Sequence, residues 1–338
     1  MALVALTAGA AVLPVPYVAL RPGSTRPVSD LVLVDGAPSY PPAQSVAFTT
    51  VSLASTSLLE AFLGWVDNDV DVLPEDRVRG GRSSDENRRY NAQLMDTSKL
   101  VAITVALEYL GYTVPIRTTG TVVRQIVEGS PAEGVLQLDD VIVQVDGQPV
   151  NAPNRIGPLL QPGGPGASHV LTIERPAGSQ TTTEVTINTM AAPDDPTRAV
   201  VGIAPEDRIV GFDFPFDVAI DSGDVGGPSA GLAFTLALLD VLTPGELTGN
   251  HKVAVTGTMS LNGVVGPVGG GAQKAIAVRN AGYDVFLVPS DEYEEVRATV
   301  GGDLQVIAVD TLGEALDALA SLGGNAGSLE RTGGTTGS

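Results

Sequence analysis

The rhythm of apolar and polar residues changes several times along the chain, and each change predicts a different element. Residues 1–20, MALVALTAGAAVLPVPYVAL, carry no charge, and about 20 apolar residues suffice to cross a bilayer as a helix. The run therefore predicts an N-terminal apolar helix serving as a transmembrane anchor. Pro14 and Pro16 would end a regular helix near Leu13, and no basic residue precedes the run as anchors and signal peptides normally require; a truncated start would explain the missing charge. A signal peptide cut near Ala8, Gly9 and Ala10 stands second, and a buried strand-like segment third.

Residues 45–53 alternate and predict a strand, whereas residues 74–91 are polar, with Arg77, Arg79, Arg82, Arg88 and Arg89 interleaved with Asp76, Asp85 and Glu86. That stretch reads as a solvated loop or linker. From Ser98, apolar Leu100, Val101, Ile103, Ala106, Leu107 and Leu110 recur at helical spacing, predicting a Ser-capped helix that stops at Gly111. Residues 21–111 thus form a linker region holding a strand, a loop and a helix. Residues 112–190 predict a compact β-rich module, with strands near 121–123, 141–145, 170–173 and 184–187 separated by Gly and Pro turns. Over residues 195–322 strands near 200–203, 218–220, 253–256, 284–288 and 306–309 alternate with helices after Pro228, Gly271, Ser290 and Thr311, which marks an α/β or α+β domain. The Gly-, Ser- and Thr-rich tail 323–338 is expected to be disordered. The fold class is multidomain α+β.

Composition narrows the chemistry. The length of 338 residues implies at least two domains, and a formal net charge of −20 excludes nucleic acid as a partner, because phosphate binding needs clustered Lys and Arg. With no cysteine and only His169 and His251, thiol chemistry and histidine-rich metal sites lack material. No metal and no cofactor are expected. Catalysis falls to Ser, Thr, Lys, Asp or Glu.

Gly226-Gly227-Pro228-Ser229-Ala230-Gly231 runs directly into the apolar LAFTLALLDVL. Pro228 suits a first helical turn, so Ser229 is expected at a helix N-terminus, where free N–H groups and the dipole favour a developing oxyanion. Gly227 and Ala230 are the candidate oxyanion and positioning residues. Neither histidine is placed to serve Ser229: His169 opens a strand and His251 lies in a polar turn. A lysine can act as the base only when uncharged, and burial lowers its pKa. Lys274 follows a glycine-rich run and opens Ala-Ile-Ala-Val, small and apolar surroundings that fit this demand.

Two resemblances give these residues a context. Residues 122–150, VVRQIVEGSPAEGVLQLDDVIVQVDGQPV, resemble the PDZ domains attached to bacterial proteases, with Asp139 where a glycine is usual. Such domains take an extended peptide on an open sheet edge, so a peptide or C-terminal tail is the expected partner there. Residues 227–231, Gly-Pro-Ser-Ala-Gly, then Thr256-Gly257, then Pro267-Val-Gly-Gly270 with a lysine seven places after the proline, resemble the Lon proteolytic domain. The resemblance implies Ser229 as nucleophile and Lys274 as general base, 45 positions apart, with Thr256 orienting the amine. Two departures stand out: Gly226 replaces the family's aspartate, and Ala272-Gln273-Lys274 replaces Lys-Glu-Lys. No GxxxxGK[ST] phosphate loop occurs in the chain. The whole order is similar to the membrane-anchored PDZ-containing Lon-like proteases. That likeness implies a single-pass cell-membrane protein with an extracytoplasmic catalytic domain, an ATP-independent endopeptidase acting on unfolded or flexible polypeptides. Self-association into a homo-oligomer is left open.

Two rival readings remain. Asp221-Ser222-Gly223 imitates the active-site turn of aspartic proteases, and as a single copy would need a dimer. Alternatively, the chain is a catalytically silent PDZ adaptor or scaffold.

Overall fold

The computed structural model describes residues 11–175 and 182–329, which divide into two compact units. One joins the residues up to Thr113 with those from Phe214 onward; the other, Val114–Asp213, is inserted between them. Ahead of the insert come β1 (Pro14–Pro27), β2 (Val32–Asp35), β3 (Ala47–Ser57), α1 (Leu58–Val66), β4 (Asp71–Pro74), α2 (Glu75–Arg79) and α3 (Ser84–Tyr109). The insert holds β5 (Ile116–Ile126), β6 (Val141–Val145), β7 (Gln148–Pro149), α4 (Ile156–Leu160), β8 (Ser168–Glu174), β9 (Thr182–Asn188), β10 (Met190–Ala191), β11 (Ala199–Val200) and β12 (Ile203–Phe212). After it follow β13 (Asp217–Ile220), α5 (Gly231–Leu242), β14 (Val253–Val255), β15 (Thr258–Met259), β16 (Val265–Gly266), α6 (Gly271–Asn280), β17 (Val285–Val288), α7 (Ser290–Val300), β18 (Gln305–Ala308) and α8 (Leu312–Ser321).

The first unit is built on a six-stranded mixed sheet of order β18-β17-β14-β3-β1-β4. Its β14, β17 and β18 run parallel, and β14 also pairs in parallel with β3. Val253, Ala254 and Val255 are all buried, as expected of a short strand covered on both faces. The helix α5, GLAFTLALLDVL, is apolar on all sides but for Thr235 and Asp240, and every residue of it is buried, the packing expected of such a sequence; Asp240 accepts the Leu247 N–H at 2.9 Å.

The N-terminal expectation is corrected here. Residues 14–20 are not part of a helix: they open β1, with Val18 and Ala19 fully buried between β3 and β4. No helix among the described residues is long and apolar enough to cross a membrane; residues 1–10 lie outside the described part. Pro14 and Pro16 disfavour helix, and apolar Val18, Ala19 and Leu20 fit an interior strand, so the strand-like reading ranked third matches residues 14–20.

Residues 21–111, expected as a linker region, supply three of the six strands through β1, β3 and β4, and the long helix α3. The polar stretch 74–91 also differs from the loop expected there. Ser83 accepts from the Glu86 N–H while the Glu86 carboxylate takes the Ser83 N–H, a capping box that starts α3 well before Ser98. In the predicted tail, Ala326 is buried and the Asn325 side chain donates to the Pro244 carbonyl at 2.8 Å, so residues 323–329 are ordered; residues 330–338 lie outside the described part.

The inserted unit is a sheet of order β12-β5-β6-β8-β9, with β7 on β6, closed over its own core of Val123, Ile142, Val145, Leu171 and Ile173 among others. It ends at Asp213, beyond the boundary at 190–195 expected from the sequence, because β12 returns along the whole length of β5.

Candidate active site

Ser229 lies half-buried in the turn just ahead of α5, and the helix proper begins at Gly231. The turn is held from two sides. From α3, the Ser98 hydroxyl donates to the Pro228 carbonyl at 3.1 Å, and the Asn91 carbonyl accepts from the Gly227 N–H at 2.8 Å. From the strand end after β14, the Gly257 N–H donates to the Ser229 carbonyl at 2.9 Å, and the Gly257 carbonyl accepts from Leu232 at 3.1 Å. Gly231 cannot be replaced cheaply, since a Cβ there would sit 2.8 Å from the Met259 nitrogen and 3.1 Å from the Ser98 hydroxyl.

Lys274 occupies the first turn of α6, whose start is set by Gly270 at φ +70°, a conformation that suits glycine. The lysine side chain is only 2% exposed. Desolvation brings its amine from 10.5 down to about 8, while the Glu292 carboxylate pulls it back up. The amine donates to Thr256 Oγ1 at 3.1 Å, and that hydroxyl donates in turn to the Ser229 carbonyl at 3.3 Å. Thr256 is fully buried. It thus stands between the lysine amine and the serine backbone, which brings Ser229, Thr256 and Lys274 into one cluster.

The expected oxyanion residues divide. The Gly227 N–H is taken by Asn91 and points away from such a role in this conformation, whereas the N–H groups of Ser229 and Ala230 meet no protein acceptor among the described residues. Both are free donors just ahead of the helix. The other polar candidates serve elsewhere. Asp221 accepts from the Gly223 N–H at 3.0 Å in an exposed turn, and Asp224 is exposed. His169 is buried in the inserted unit, its Nδ1 2.6 Å from the Asp146 carboxylate. No cluster of His, Asp or Glu suited to a metal occurs among the described residues.

Three contributors escaped sequence reasoning: Asn91, Ser98 and Glu292. The first two sit on a helix whose N-terminal half had been read as loop. The Ser83–Glu86 capping signature was the signal that could have placed them.

Comparison with known proteins agrees with this architecture. Residues 217–321 match the Lon protease (S16) C-terminal proteolytic domain, and residues 122–175 match a PDZ domain. The chain is 37% identical over 94 residues to the Lon protease of Campylobacter concisus (strain 13826), covering 27% of this chain and 11% of that protein. It is 32% identical over 117 residues to Lon protease 2 of Bacillus subtilis (strain 168), covering 35% and 20% respectively. The chain therefore spans a fifth or less of the length of these relatives. Among solved structures, the PDZ domain of the SdrC-like protein from Listeria innocua aligns over 26% of this chain and 93% of its own at 20% identity, with a TM-score of 0.23. The chain thus carries one segment similar to a Lon proteolytic domain and one similar to a PDZ domain.

Proposed function

We propose that this chain is a serine endopeptidase in which Ser229 is the nucleophile and Lys274 the general base, acting on flexible polypeptides without nucleotide hydrolysis. The observation that carries this reading is the buried Lys274 amine, linked through Thr256 to the backbone of Ser229. An amine brought down to about 8 is uncharged in a useful fraction of molecules near neutrality, as a base must be.

The resting hydrogen bond of the amine goes to Thr256 rather than to the Ser229 hydroxyl, and such contacts commonly tighten only when substrate binds. In the proposed reaction neutral Lys274 takes the Ser229 Oγ proton as Oγ bonds to the substrate carbonyl carbon. The Ser229 and Ala230 N–H groups receive the oxyanion. The tetrahedral intermediate then expels the amine product, which leaves with the proton carried by Lys274, and water attacks the acyl-serine by the same route. The PDZ domain takes up an extended peptide or C-terminal tail on an open strand edge.

The test is hydrolysis of an unfolded protein such as casein, without ATP, by the wild-type chain and by Ser229→Ala and Lys274→Ala. Loss of activity by at least about a thousandfold in each variant, with the melting transition retained, is the expected result. Equal turnover by Ser229→Ala overturns the assignment. Peptide capture with no turnover by any form selects the silent adaptor, and loss only on Asp221→Asn selects the aspartic mechanism.

A further inference from the structure

One acidic side chain in the first unit is buried beside the candidate base without belonging to the serine–lysine pair. Glu292 lies in the first turn of α7 and is only 7% exposed. Its spacing explains the burial: Glu292, Val296 and Val300 follow one another at four-residue intervals and form the buried stripe of that helix. The stripe packs on the start of α6. A Cβ built on Gly271 would lie 3.3 Å from Val296 Cγ2 and 3.5 Å from Glu292 Cβ and Cγ.

From that position Glu292 Oε1 accepts the Val268 N–H at 2.7 Å, which ties α7 to the glycine-rich turn of residues 267–270. Its other oxygen, Oε2, is buried with no hydrogen-bond partner. A buried carboxylate oxygen without a donor is costly and is seldom kept for packing alone. Glutamate here has a second consequence, because its negative charge acts on the Lys274 amine and favours the protonated form, against the desolvation that favours the neutral one.

The other ionisable groups around α6 are differently placed. The adjoining β3 carries none; β1 contributes Tyr17, Arg21 and Arg26, with both arginines exposed; β4 contributes Asp71, which accepts from the Gln273 amide at 2.9 Å. On α7, Asp291, Glu294, Glu295 and Arg297 are exposed and Tyr293 is half-buried. On α6 itself, Arg279 sits in the last turn. Among these groups it is Glu292 whose charge is felt at Lys274.

We propose that Glu292 is a positioning residue of this site: through the Val268 N–H and its packing on Gly271 it holds the turn that launches the Lys274 helix and keeps a buried carboxylate against the start of that helix. The inference rests on the serine–lysine reading for its catalytic meaning, but its test does not. The chain has three lysines, Lys99, Lys252 and Lys274, so lysine labelled with carbon-13 at Cε gives a spectrum of three signals. Lys99→Arg and Lys252→Arg assign them.

The titration of the Lys274 signal is followed in the wild-type chain and in Glu292→Gln, which removes the charge and keeps an acceptor for Val268. The expected result is a midpoint lower by about one pH unit in Glu292→Gln, with Lys252 unmoved. The acid limb of casein hydrolysis shifts by the same amount, so activity on that limb rises up to about tenfold. Glu292→Asn is the second charge-free variant should Glu292→Gln not fold. An unmoved or raised Lys274 midpoint overturns the proposal, including the case in which activity falls equally at every pH, since that is what lost packing alone would produce. Loss of the serine–lysine reading shows separately, as undiminished hydrolysis by Ser229→Ala while the Lys274 titration still responds to Glu292.

Discussion

Lys274 shows how one residue can be poor for stability and suited to the chemistry proposed for it. Its folded value of about 8 lies below the ordinary 10.5 because burial disfavours the charged form. Below pH 8 both folded and unfolded chains carry the proton, so the folded state bears the whole cost of a buried charge. Between pH 8 and 10.5 the unfolded chain binds more protons, and stability rises with pH through that window. The difference corresponds to about 3 kcal/mol. Lys274→Met should therefore stabilise the chain at pH 7 by about 1–3 kcal/mol in urea unfolding, offset in part by the lost Thr256 contact, while hydrolysis disappears. A destabilised Lys274→Met would mean that the amine is satisfied as a charge. Thr256→Val tests the link itself. Removing the hydroxyl strands the Lys274 amine and should lower kcat/KM by about ten- to a hundredfold, consistent with about 1–3 kcal/mol for an unsatisfied buried donor, whereas Thr256→Ser should retain most activity.

At the scale of elements, the candidate site leans on a helix that grips the backbone of the Ser229 turn. The buried face of α3 packs along α5, and its Asn91 and Ser98 brace the turn that carries Ser229. Ser98→Ala should therefore reduce turnover severalfold with little change in melting temperature, because it frees the Pro228 carbonyl without opening the core. Ser83→Ala acts differently. It deletes an exposed capping box at the start of the same helix and should cost about 1 kcal/mol of stability, read as a lower melting temperature with KM unchanged. These elements were unequally legible. The apolar run LAFTLALLDVL announced α5, whereas α3 was legible only from Ser98 onward, because the polar residues after the Ser83–Glu86 cap hide the first turns of the helix. What made β1 unreadable was its own sequence: an uncharged run suits a bilayer and a sheet interior equally well, and only its pairing with β3 and β4 separates the two.

For the whole molecule, the chain order misleads about the domains. The first unit takes its interior strands β1 and β3 from residues that precede the insert. A fragment beginning at residue 195 should consequently fail to fold, giving no cooperative unfolding transition and no hydrolysis. The reverse cut should be tolerated. The insert closes on itself, with Phe212 paired to Ile116 and the Asp213 N–H donating to the Pro115 carbonyl at 3.0 Å, so its two ends lie side by side. Replacing Val114–Asp213 by a short Gly-Ser linker should leave a folded unit that still cleaves a small unstructured peptide. Loss of that cleavage would assign the insert a part in the active site.

The sequence by itself determined the local features: the glycine-rich turn before an apolar helix at Ser229, the turn and helix that carry Lys274, and the alternating strands of the insert. Each rests on residues adjacent in the chain, whose backbone preferences act over one or two turns. Tertiary structure alone decided which distant segments bury Lys274, that Glu292 packs on the start of its helix, that Asn91 and Ser98 hold the serine turn, and that β1 lies inside a sheet. Burial and charge environment are set by whichever distant segments pack against a residue, and no neighbour in sequence records them.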